Sequence, residues 1–124
     1  MKIFFDGCCR PNPGPMQTMV VAGGQVFHHD TLGEGDNNDA EWLALIHALT
    51  VARSLGLADV TLLGDSALIV NQAQGTVACR APRFTARLAE FRALTGHFER
   101  VRLHHIRRTQ NLAGIALERI HSRL

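Results

Sequence analysis

The sequence predicts an α/β domain: a mixed five-stranded sheet, built from a three-strand antiparallel meander and two parallel strands, with helices on both faces. Three observations predict it. Three β-type segments come first with only turns between them, and two more then alternate with helical segments. The first helical segment is also apolar on most sides, as a helix packed between two layers must be.

Residues 2–6 read as the first strand, through Ile3-Phe4-Phe5. Residues 8–15 are a loop, punctuated by Pro11, Pro13, Gly14 and Pro15. Strands at 16–22 and 25–31 flank Gly23-Gly24, a hairpin signal, and 33–37 is polar and loop-like. The apolar helix spans 38–55, carries Trp42, Leu43, Leu45, Ile46, Leu49 and Leu55, and ends at Gly56. A short buried strand follows at 60–63, then a helix at 66–74 stopped by Gly75. Pro82 opens a helix to residue 95, with Phe84, Leu88, Phe91 and Leu94 as its core stripe. A last strand at 101–106 and a closing helix at 111–122 complete the order.

A chain of 124 residues makes one domain, 1–124, and its 46% hydrophobic and 19% charged content is that of a globular protein rather than a disordered one. No run approaches the roughly 20 apolar residues of a membrane helix. The acid at position 6 leaves no room for a signal peptide, so a cytoplasmic protein is expected. Cys8, Cys9 and Cys79 match neither a disulfide framework nor a zinc spacing and are expected as reduced thiols. The net charge of +2 is unevenly spread. Residues 1–78 hold Lys2, Arg10 and Arg53 against eight acids, whereas 79–124 hold ten arginines against Glu90, Glu99 and Glu118. Solvated helix faces often look like this, but so does an acidic centre beside a polyanion track.

Three acids occupy suggestive places. Asp6 ends the first strand, Glu41 lies in the first turn of the apolar helix, and Asp65 follows the strand at 60–63. Each also has a local explanation: Asp6-Gly7 as a turn, Asn38 with Glu41 as a capping box, Asp65 as a helix cap. If the two strands are sheet neighbours and the helix packs on them, however, the carboxylates converge. Their mutual repulsion then calls for a proton or a cation. Hard oxygen ligands suit Mg²⁺ or Mn²⁺, and such sites support phosphoryl transfer.

The segment from Phe5 through Asp6-Gly7 to Asn12-Pro13-Gly14-Pro15 resembles the opening motif of type 1 ribonucleases H. Asn37-Asn38-Asp39-Ala40-Glu41 is similar to the second motif, Gly64-Asp65-Ser66 to the third, and His105 to Asn111 to the fourth. The likeness runs along essentially the whole chain, with the motifs in register. It implies a ribonuclease H-like fold and a metal-dependent endonuclease that hydrolyses the RNA strand of an RNA–DNA hybrid to 5′-phosphate and 3′-hydroxyl ends. It implies Asp6, Glu41 and Asp65 as ligands of two Mg²⁺ or Mn²⁺ ions, with Asn12, Asn37 and Asn38 in the hybrid's minor groove, where amides can read a 2′-hydroxyl. The hybrid is the one partner expected, with no membrane and no obligate protein partner.

The sequence departs from the family pattern at one place above all. The fourth acid, expected four residues after Asn111, is Ile115, so one ion should bind more weakly. This leaves a second reading, a catalytically impaired nucleic-acid-binding module. Glu118, a turn further on, is a candidate substitute that is more simply an exposed helical acid. Of His104 and His105, strand alternation lets only one face the site; His105 is the candidate proton shuttle. Asp36 stands where the family often has Thr, and would repel phosphate. The interval from Gln74 to Pro82 is too short for the basic protrusion of some relatives, which leaves Arg80, with Arg83 and Arg87, to grip phosphates. A proofreading-type exonuclease would need a second acid where Cys8 stands.

Overall fold

The structure, a computed structural model describing residues 1–122, is organised around β1 (Lys2–Cys9), the middle strand of the sheet. On one side β1 pairs antiparallel with β2 (Gly14–Ala22), which pairs antiparallel with β3 (Gln25–His29). On the other it pairs parallel with β5 (Asp59–Gly64), which pairs parallel with β6 (Arg100–His105). The meander and the two parallel strands are those expected. The addition is β4 (Glu34–Gly35), a two-residue strand on the start of β2, inside the segment expected as loop. Gly23 and Gly24 both take positive φ (57° and 78°), the conformation that a tight hairpin needs and that side chains resist.

Helix α1 (Asn37–Ser54) lies on one face of the sheet, with α3 (Pro82–Thr95) packed on its outer side and α2 (Ala67–Gln74) beside it. This explains its apolar circumference. Ile3, Phe5, Val20 and Leu62 from the sheet meet Trp42, Leu45 and Leu49 in one buried cluster. Trp42 is fully buried yet satisfied, its Nε1 donating to Gln72 Oε1 at 3.2 Å. Helix α4 (Leu112–Ser122) covers the opposite face over β1 and β2, burying Ala113 and Leu117 against Met19 and Val21. In α3 the expected stripe divides: Phe84 and Phe91 are buried, Leu88 and Leu94 half-buried.

Several local expectations are corrected. Asp6-Gly7 is not a turn, because β1 runs on to Cys9. Helix α1 starts one residue early. Its capping box is Asp36 with Asp39, each side chain accepting from the other's backbone N–H at 2.9 Å, rather than Asn38 with Glu41. Ser66, not Asp65, caps α2. Asn111 lies outside α4, and a 3-10 turn at Arg108–Gln110 carries the chain over from β6.

Candidate active site

β1 and β5 run parallel in a register that brings Asp6, inside β1, level with Asp65, the residue just past the end of β5. Helix α1 reaches this rim because Gly7 has no side chain: a Cβ there would lie 2.1 Å from the carbonyl oxygen of Ala40. That close approach sets Glu41 beside the strand, and the Gly7 N–H donates to Glu41 Oε1 at 2.7 Å. One oxygen each from Asp6, Glu41 and Asp65 then lie within 4.8 Å of one another. Asp6 and Glu41 are buried and Asp65 is half-buried.

Two unit charges at 4.8 Å repel by about 3.5 kcal/mol at an effective dielectric near 20. Burial, with Asp65 nearby, therefore raises the Asp6 carboxyl above its ordinary range. Burial, and then the Asp6 charge, raise Glu41 well above its own. Glu41 Oε2 is buried with no hydrogen-bond partner. A buried, unpartnered carboxylate oxygen beside two further carboxylates is a donor set that fits a hard divalent cation.

Asn111, fully buried, locks the third acid in place: its Nδ2 donates to Asp65 Oδ2 and to the Phe5 carbonyl, both at 2.9 Å. Its Oδ1 accepts from the Ala113 N–H at 3.1 Å, tying the start of α4 to the same point. Arg108 lines the cleft and counteracts the upward pull on Asp6. The cleft, about 290 Å³, is completed by Gly7, Cys8, Cys9, Arg10, Asn37, Asn38 and Ser66. The sequence offers Asn111 as the end of the fourth motif and the reference for counting to Ile115, with no role of its own, and it presents Arg108 as one arginine among ten. What both share is a tertiary contact, which spacing does not reveal.

The remaining candidates are unequally placed. Asn38 lines the cleft; Asn37 Oδ1 accepts from the Cys9 N–H at 2.9 Å, and Asn12 Oδ1 from the Asn37 N–H at 3.1 Å, so the three form one rim. His105 lies at the end of β6, its Nε2 3.2 Å from the Asp65 carbonyl oxygen, while His104 takes the other face. Arg80 is exposed, outside the residues lining the cleft. Arg83 is taken up by Asp36 and Asp39, at 3.0 and 2.7 Å, so Asp36 is paired rather than facing phosphate. Arg87 pairs with Glu90 at 3.5 Å. Glu118 does not join the acids; it pairs with Arg10 and Arg108. Ile115 lines the adjoining recess with Arg108, Gly114 and Glu118, and among the described residues no fourth carboxylate joins Asp6, Glu41 and Asp65.

Comparison with known proteins agrees with this geometry. The reverse transcriptase-like family matches residues 20–118. Ribonuclease HI of Halobacterium salinarum is 34% identical over 119 residues, covering 92% of this chain; the chain spans 60% of that protein's length. The crystal structure of RNase H1 from that archaeon superposes with a TM-score of 0.85 over 94% of this chain and 92% of that one. The N-terminal RNase H domain of Rv2228c from Mycobacterium tuberculosis gives a TM-score of 0.80 at 30% identity, covering 94% and 93%. LC11-RNase H1, crystallised with an RNA/DNA hybrid, gives 0.80 at 28% identity, covering 94% and 91%. With fold, acid cluster and sequence in agreement over nearly its whole length, the chain belongs to the type 1 ribonuclease H family.

Proposed function

We propose that this protein is a metal-dependent endoribonuclease that hydrolyses the RNA strand of RNA–DNA hybrids, leaving 5′-phosphate and 3′-hydroxyl ends. The observation that carries the reading is the convergence of Asp6, Glu41 and Asp65 around an unpartnered buried oxygen. These three side chains would hold Mg²⁺ or Mn²⁺, two ions with one weakly bound for want of an acid at Ile115. Bound there, the divalent ions supply Lewis-acid stabilisation of the charge that builds on a phosphodiester attacked by water.

The chain's own groups have separate tasks. Gly7 N–H and Asn111 Nδ2 hold Glu41 and Asp65 in fixed orientations, so that little reorganisation is needed at the moment of reaction. Arg108 and Arg10 at the cleft wall each give one guanidinium nitrogen to Glu118, which leaves their other N–H groups to donate to non-bridging phosphate oxygens. With the Asn12 and Asn37 oxygens already accepting backbone N–H groups, their amide nitrogens are left to donate to 2′-hydroxyls, with Asn38 beside them. His105, anchored by the Asp65 carbonyl, is the proton carrier next to the acids. Arg80 is a phosphate contact outside the cleft. LC11-RNase H1, which was crystallised with the hybrid, supports the substrate. A cytoplasmic setting is part of the same proposal.

Cleavage of an end-labelled hybrid in Mg²⁺ and in Mn²⁺, with Asp65→Asn as control, tests the proposal. Metal-dependent cuts in the RNA strand alone, abolished by Asp65→Asn, are expected. Hybrid binding without cleavage in either metal would overturn it in favour of a binding module disabled at Ile115.

A further inference from the structure

Helix α4 covers only half of its sheet face. Over β1, β5 and β6 the sheet lies open as a recess of about 620 Å³, lined among others by Lys2, Phe4, Thr61, Leu63, Arg102 and His104. Strand register arranges these in two rows. Lys2, Thr61 and Arg102 stand side by side across the three strands; Phe4, Leu63 and His104 form the next row. A cation therefore flanks the recess on each side, His104 stands above Arg102, and Phe4 and Leu63 form an apolar floor. Among the described residues, neither Lys2 nor Arg102 is engaged in an ion pair. Asp59, in register with Arg100, bounds the strip at one end, and Ile106 and Gln110 close it at the other.

We propose that this face binds single-stranded nucleic acid, separately from the catalytic cleft. Charge complementarity selects a polyanion. Residues two apart on a strand lie about 6.6 Å apart, so Arg102 and His104 are spaced like successive phosphates of an extended chain. Lys2 and Arg102, two strands apart, are separated by only about 9.6 Å, an opening for one nucleotide chain rather than a duplex. The ring of Phe4, half-buried over buried Leu63, gives a base a stacking surface that an acidic peptide would leave unused. Positive charge on an edge strand also discourages sheet-to-sheet association. That role explains the arginines of β6 but not Lys2, which lies on the central strand, facing them across Thr61.

The test is fluorescence anisotropy of a labelled oligothymidylate in chelator, with and without saturating unlabelled hybrid, for the wild type and the exposed double variant Lys2→Glu/Arg102→Glu. Circular dichroism checks the fold, and hybrid cleavage in Mn²⁺ checks the catalytic cleft. The expected result is binding that persists under saturating hybrid. In the variant it should weaken by roughly tenfold at low salt, with the slope of log affinity against log salt shallower by about 1.4. Hybrid cleavage should not change. No binding by the wild type, equal binding by the variant, displacement by hybrid, or equally effective competition by polyglutamate would overturn the proposal. Loss of cleavage in the wild type would count against the catalytic reading and not against this face.

Discussion

Replacing Gly7 with alanine tests whether the closeness of α1 to β1 is what assembles the acidic site. The new methyl would meet the Ala40 carbonyl oxygen at 2.1 Å and the Glu41 amide nitrogen at 2.9 Å. Both are helix backbone, so no side chain can swing aside. Set against an ordinary heavy-atom contact of roughly 3.5 Å, α1 must retreat by more than about 1 Å. Overpacking of this kind costs about 1–3 kcal/mol, here at the upper end because backbone meets backbone. Separating the Gly7 N–H from Glu41 Oε1, now 2.7 Å apart, adds about 1 kcal/mol. The sum is about 4 kcal/mol, or about 2 M in the urea midpoint for a typical denaturant slope. A misplacement of about 1 Å at Glu41 also costs on the order of 100-fold in rate. Urea unfolding and hybrid cleavage in Mn²⁺ measure the two effects independently. A variant within about 1 kcal/mol of the wild type that still cleaves normally would refute the reasoning.

Three further outcomes are expected. Glu41→Gln removes a buried acid with an unpartnered oxygen, so in chelator its thermal midpoint should equal or exceed the wild type's. Mn²⁺ at 100 times its Kd should stabilise the wild type by about 2.7 kcal/mol and the variant by much less, as calorimetry would show. His47, buried against His29 with ring centroids 3.8 Å apart, has its pKa pushed down to about 4, mainly by burial and then by the neighbouring His29 and His28. The folded state thus resists protonation that the unfolded chain accepts, and its stability is complete above pH 6.5 and falls as the pH drops toward 4. The loss is on the order of 2 kcal/mol after solvent screening, and His47→Leu should flatten that part of the pH–stability curve. Finally, Ile115→Asp should lower the Mn²⁺ concentration for half-maximal cleavage by on the order of tenfold; no change would mean that residue 115 does not reach the ions.

The chain's local chemistry determined much of this protein by itself. Alternation and turn residues placed every long strand and helix to within a few residues, because the periods of two and 3.6 are local properties. The acids were legible because each interrupts such a pattern: Asp6 breaks the apolar run within β1, Asp65 follows directly on apolar β5, and Glu41 sits polar in an apolar helix. Pairwise competition between neighbours was not legible. Asp36 rather than Asn38 caps α1, since Asp39 returns its hydrogen bond. Glu118 and Arg83 looked available in the sequence but are held by partners remote along the chain, Arg10 for one and Asp36 with Asp39 for the other. Only the tertiary structure decided that Gly7 admits α1, that Asn111 orients Asp65 across 46 residues, and that α4 leaves β5 and β6 bare. Those facts depend on how elements pack in three dimensions, and packing distances are set by side chains that never meet in the sequence.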